Sequence, residues 1–112
     1  MRFIRLYTGE DGQSHLEEMD APTAPVGQAP FEPATGVSFR RSGPGHVMDW
    51  HNAPRRQYVI TLAGQAEIEL GDGTVMRVSP GDVLLAEDLT GKGHITRVVG
   101  DEARISVAIA MA

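Results

Sequence analysis

The feature that most constrains this chain is its punctuation. Thirteen glycines and seven prolines are spread along 112 residues, and they cut the sequence into apolar runs too short for ordinary helices. Apolar residues at i, i+3, i+4 and i+7 are hard to find, whereas alternation with a period of two recurs. Ala66 to Leu70 sets Ala, Ile and Leu against Glu67 and Glu69, so one side of that strand is dry and the other wet. Gly71-Asp72-Gly73 is a hairpin turn signal. The same reasoning gives strands at Val37 to Arg41, Val47 to His51, Gln57 to Leu62, Thr74 to Val78, Val83 to Ala86, His94 to Val99 and Ile105 to Met111. The last two thirds of the chain thus read as roughly eight short strands with a turn every ~8–12 residues. That is the pattern of an all-β sandwich or barrel, and periodicity alone does not choose between them.

The first third is different. Phe3 to Tyr7 alternates apolar residues with arginine and reads as a strand; Thr8 to Gly12 is a turn, and His15 to Met19 is a second short strand or a helical turn. Pro22, Pro25, Pro30 and Pro33, with Pro44 closing the same region, leave too few N–H donors for a central strand. Residues 1–35 are therefore expected to form an extended arm on the barrel or on a partner subunit, and residues 36–112 the domain proper.

Composition removes several function classes. A hydrophobic fraction of 41% is that of a globular domain, and a net charge of -5 argues against a nucleic-acid partner. There are no cysteines, which excludes disulfides, thiolate metal sites and cysteine nucleophiles. No run approaches the ~18 apolar residues of a spanning helix. The opening Met1-Arg2-Phe3-Ile4-Arg5 reads as the start of a strand, not as the apolar core of a leader peptide. The default expectation is a cytoplasmic protein without membrane or nucleic-acid partners. Neither a Gly-x-Ser-x-Gly elbow nor a P-loop is present.

One spacing goes further. Gly45 is followed by five residues, then His51, Asn52 and Ala53, three residues, Gln57, six residues and Gly64, with Trp50 before His51 and Pro54 after Ala53. It resembles the first motif of the cupins, in which Ala53 stands where a second histidine is usual and Gln57 where a glutamate is. Ser79-Pro80-Gly81-Asp82 is similar to the opening of the second cupin motif. Glu87 then falls at that motif's proline position, His94 comes two residues later than usual, and Val98 takes the place of its asparagine. The resemblance covers about residues 36–111 and implies a double-stranded β-helix, the jelly-roll barrel of cupins.

What the resemblance implies for function centres on the barrel interior. His51, His94 and Gln57 would be the ligands of a divalent metal (Fe, Zn, Ni or Mn), with Glu87 able to complete a two-histidine, one-carboxylate set. Strand alternation places Val47, Asp49 and His51 on one face, and Gln57, Val59 and Thr61 on another. Asp49, His51, Gln57, Glu87 and His94 are thus expected around one cavity, with Glu87 or Asp49 as general base and Thr61 and Trp50 on its walls. Two functions stay open. One is a metal-dependent oxygenase, isomerase or lyase acting on a small carbonyl or carboxylate compound; the other is a non-catalytic metabolite-binding or sensor protein with a reduced ligand set. A homodimer is expected, with Phe3 to Tyr7 offering an edge. Each histidine also has a purely structural reading, as a hydrogen-bonded interior residue or a loop end. Glu67 and Glu69 read as a solvated face, and His15 and His46 as exposed.

Overall fold

A computed structural model describes all 112 residues. It is all-β: ten strands, β1 (Phe3–Thr8), β2 (Ser14–Met19), β3 (Ala34–Ser42), β4 (Val47–His51), β5 (Gln57–Ala63), β6 (Gln65–Glu69), β7 (Val75–Val78), β8 (Val83–Glu87), β9 (His94–Val99) and β10 (Arg104–Met111). No helix is long and apolar enough to cross a membrane.

The strands form two sheets, β2-β1-β8-β5-β10-β3 and β4-β9-β6-β7. Apart from the β6–β7 hairpin, strands β3 to β10 alternate between the sheets along the chain, which is the two-sheet jelly roll, and the eight strands expected after residue 36 are these. The hydrophobic core lies between the layers: Ile4, Leu6, Val59, Leu84, Ala86 and Ala108 from one sheet meet Ala66, Ile68 and Val78 from the other. Each strand contributes every second residue, as the pleat requires.

The segment read as an arm divides in two. β1 runs parallel to β8 and antiparallel to β2 inside the larger sheet. Its alternation points Ile4 and Leu6 fully into the core, so residues 1–19 are part of the sandwich rather than wrapped on it. Because β1 has a neighbour on each side, it offers no free edge. Residues 20–33 run outside as an extended, exposed segment, as their prolines require.

Turns set the approach of the strands that matter for the site. Gly93, with φ +76°, precedes His94 so closely against the backbone of His51 that a Cβ there would collide with the His51 carbonyl. That absence of a side chain lets β4 and β9 meet with His51 opposite His94. Gly64, the last residue of the Gly45–Gly64 spacing, sits at φ +71° where a Cβ would strike Ala103, and it turns β5 into β6.

Candidate functional site

The cavity lies between the sheets, with a volume of about 110 Å³. Its polar lining comes from Arg40 (β3), His51 (β4), Gln57 (β5), His94 and Thr96 (β9) and Arg104 (β10); the rest is mostly apolar. A larger open depression of about 240 Å³ lies between the Gly64 and Gly100 turns, where Asp101 and Glu102 face no histidine or arginine, so the convergent chemistry is in the smaller hollow.

The two histidines are neighbours, their ring centroids 4.3 Å apart and inclined by 55°. Each ring is fixed through Nδ1. His94 Nδ1 donates to Asp88 Oδ2 at 2.6 Å, with Asp88 fully buried, and Ser14 Oγ donates to the same oxygen at 2.7 Å. The Ala53 N–H donates to Asp88 Oδ1 at 3.3 Å. His51 Nδ1 donates to the Asp49 carbonyl at 2.8 Å. With both Nδ1 positions occupied as donors, the neutral tautomers leave Nε2 of each ring as the acceptor.

On the opposite wall lies a positive group with no negative partner. Arg104 gives one Nη2 hydrogen bond to Thr61 Oγ1 at 2.9 Å, and its buried Nε–H has no acceptor. Burial pushes the Arg104 pKa down, and repulsion from Arg40 adds to this. A guanidinium nevertheless stays protonated, so the charge remains. The Gln57 side-chain oxygen, also buried, has no donor. No Asp or Glu lines this cavity.

The expected convergence therefore holds for His51, Gln57 and His94 and fails for Asp49 and Glu87. On β8 the inward residues are Leu84 and Ala86, and alternation turns Glu87 outward. There it is paired with Arg5 and, at 3.0 Å, with Arg56. Burial works against the ionised form of Glu87, but hydrogen bonds from Arg5 and then Arg56 outweigh it and hold its pKa below the ordinary value. On β4 the register with β9 breaks between Met48 and His51. This irregularity brings Met48 and His51 to the cavity and leaves Asp49 exposed, its Oδ1 accepting from the Trp50 N–H. Trp50 is outside the cavity as well, with the Lys92 ammonium 4.3 Å from its ring centre. Thr61 is buried behind the wall, where it holds Arg104. His46 is exposed, as its position suggested.

Asp88, Ser14 and Arg104 were missed, and for two of them the sequence carried a signal. Alternation from Leu84 and Ala86 continues inward to Asp88, one residue beyond the end of β8. Ser106 and Ala108 extend back to Arg104 in the same way. Ser14 comes from the N-terminal hairpin, and nothing in its surroundings marks it.

Solved structures share the architecture. A double-stranded β-helix protein of Klebsiella pneumoniae is 23% identical with a TM-score of 0.54, covering 80% of this chain and 77% of that one. A cupin domain from Bordetella pertussis is 18% identical with a TM-score of 0.52, covering 75% and 99%. The cupin domain of Cnp3 from Schizosaccharomyces pombe is 14% identical with a TM-score of 0.55, covering 88% and 73%. No family model and no curated protein matches the chain. The chain has the cupin fold, an all-β double-stranded β-helix.

Proposed function

We propose that this cupin-fold protein binds a small organic carboxylate in the cavity between His51, His94 and Arg104. The observation that carries this reading is Arg104: a half-buried guanidinium with an unused Nε–H, in a cavity that no carboxylate lines. An unpartnered cation out of water is costly, and a planar carboxylate accepting from Nε–H is the ligand that relieves it. Gln57 Oε1 and the two Nε2 atoms are acceptors, so they suit a hydroxyl or similar donor on the same molecule. The volume is well under the ~300 Å³ where drug-sized sites begin, which limits the ligand to a handful of heavy atoms. Small hydroxy acids meet all three requirements.

The donor set does not fit a resident divalent metal. His51 and His94 are held at Nδ1 as metal-binding imidazoles often are. A third protein ligand is normally needed, and the one available is the neutral Gln57 amide, because Glu87 faces away. No three His, Cys, Asp or Glu side chains come together, and Arg40 and Arg104 oppose a second positive charge in the same hollow. Elemental analysis of the purified protein checks this, with sub-stoichiometric metal expected.

An enzymatic reading has its own support in the Asp88–His94 pair. A buried carboxylate on Nδ1 fixes the imidazole's orientation and leaves Nε2 as its lone-pair acceptor, so His94 Nε2 is placed to accept a proton from a bound acid. The binding claim is tested by titrating the protein with glycolate, lactate and pyruvate, using lactamide as the uncharged control, and following histidine and backbone NMR shifts. Saturable shifts with the acids, lost in Arg104→Met, are expected. Equal binding of lactamide, or undiminished binding by Arg104→Met, would contradict the proposal. Deuterium incorporation into the bound acid in D2O, abolished in His94→Gln, separates the enzyme from the binding protein.

A further inference from the structure

Most arginines of this molecule have a carboxylate partner. Arg2 pairs with Asp82, Arg5 and Arg56 with Glu87, Arg77 with Glu67 and Arg97 with Glu69. Arg40, Arg41, Arg55 and Arg104 form no such pair. Arg41 and Arg55 are exposed and stand outside the cavity, where water solvates them, whereas Arg40 and Arg104 both line it. The cavity therefore collects two uncompensated guanidinium groups, and the carboxylate reading above uses one of them.

Strand register explains why this pair shares one hollow. On β10, Ser106 and the core residue Ala108 alternate inward with Arg104. Across the ladder, β3 sets Arg40 opposite Ser106 and Ser42 opposite Arg104. Arg40 is thus the diagonal neighbour of Arg104 on the same face, about 7–8 Å away along the sheet, within reach of one small molecule for two long side chains. Burial lowers the Arg104 pKa, and repulsion from Arg40 lowers it further, as expected of cations that share a space. Arg104 is half-buried, whereas Arg40 is exposed at the rim beside Met48. With no Asp or Glu in the lining, one carboxylate on Arg104 would leave the charge at the rim unanswered.

We propose that the acid taken up by this cavity is a small hydroxy dicarboxylate, with one carboxylate on Arg104 inside and the second on Arg40 at the mouth. The inference rests on the carboxylate reading and adds the second anionic group. The hollow of about 110 Å³ need hold only the inner carboxylate and the hydroxyl carbon, because Arg40 meets the second carboxylate where the cavity opens. Each guanidinium offers a planar fork of donors that matches a carboxylate. Gln57 Oε1 and the histidine Nε2 atoms remain for the hydroxyl between them. Arg40 is then the residue that separates diacids from monoacids. A monoacid leaves it unpaired, and an ester or amide at the outer position gives it a weaker, uncharged acceptor.

Calorimetry of the full chain at constant ionic strength tests the inference with malate, lactate and the malate monomethyl ester blocked at the carboxylate remote from the hydroxyl. Malate differs from lactate by one carboxylate, and the ester keeps the size while removing the charge. Malate should bind at least about fivefold more tightly than either, since hydrogen bonds to a charged acceptor are the stronger ones. Arg40→Gln should erase that margin by weakening malate more than lactate, and Arg40→Lys should keep part of it as a charge without the fork. Both variants should keep the thermal midpoint, because the side chain is exposed. Malate no tighter than lactate or the ester, or a margin that survives Arg40→Gln, would overturn the inference and leave the Arg104 site standing. Phosphoglycolate binding more tightly than malate would assign Arg40 to a phosphate and overturn the diacid. Failure of malate and lactate alike to bind, or binding of both unchanged in Arg104→Met, would overturn the carboxylate reading together with this one.

Discussion

Replacing Asp88 by alanine should cost this protein about 3 kcal/mol. Asp88 is fully buried and accepts from His94 Nδ1 at 2.6 Å and Ser14 Oγ at 2.7 Å. Truncation strands both donors, each with a penalty of roughly 1–3 kcal/mol. The Ala53 N–H keeps the Asp88 backbone carbonyl at 3.2 Å and adds little to the loss. Relief from burying a carboxylate offsets part of the sum, which leaves the total near the lower end of the ~3–5 kcal/mol seen when a buried pair is broken. For a chain of this length that corresponds to a fall in Tm of roughly 12 °C. Urea unfolding followed by circular dichroism measures it directly. Ser14→Ala should cost about 1 kcal/mol alone, and the double variant less than the two singles together, because both remove one hydrogen bond. A cost for Asp88→Ala below about 1 kcal/mol, or strict additivity, would refute the buried relay from β2 through Asp88 to His94.

Other outcomes follow from the same geometry. Glu87 has a folded pKa below its ordinary 4.5, so its two arginine pairs add stability above that value, and the contribution is lost as the pH falls through the folded pKa. Asp82 behaves alike: its burial is outweighed by the Ser79 N–H and by Arg2. Urea midpoints should decline below about pH 4.5, with a shallower decline in Glu87→Gln; equal slopes would count against the pairing. Gly93→Ala puts a Cβ against the His51 carbonyl at φ +76°, and should destabilise the fold by at least ~1 kcal/mol and shift the His51 and His94 ring signals together. Unmoved ring signals would mean that the close approach does not position the pair.

Much of this architecture was legible in the sequence because alternation and turn chemistry are local. The strands after residue 36 follow from period-two runs between Gly- and Pro-containing turns, and Gly45 and Gly64, both at positive φ, frame the stretch whose spacing pointed to the fold. His51, Gln57 and His94 sit together because that spacing reflects how two sheets face each other. Asp49 was misplaced because a register irregularity after Met48 cannot be read from alternation. Glu87 was misplaced because motif alignment was followed where alternation from Ala86 already pointed it outward. Arg104 and Asp88 lie just outside apolar runs, where alternation points them inward but their charge suggests solvent. The place of β1 inside the sheet depends on a parallel pairing with β8 eighty residues away, which no local pattern encodes.

The most direct test of the central claim is the affinity of lactate for the protein with and without Arg104, measured by calorimetry at constant ionic strength. Arg104→Met should weaken lactate by at least tenfold, equivalent to about 1.4 kcal/mol, while leaving the thermal midpoint equal or higher, since an unpartnered cation is removed from a half-buried position. Lactate binding unchanged by Arg104→Met, or a variant that loses its fold without the guanidinium, would show that Arg104 serves the structure and that the cavity is not a carboxylate site.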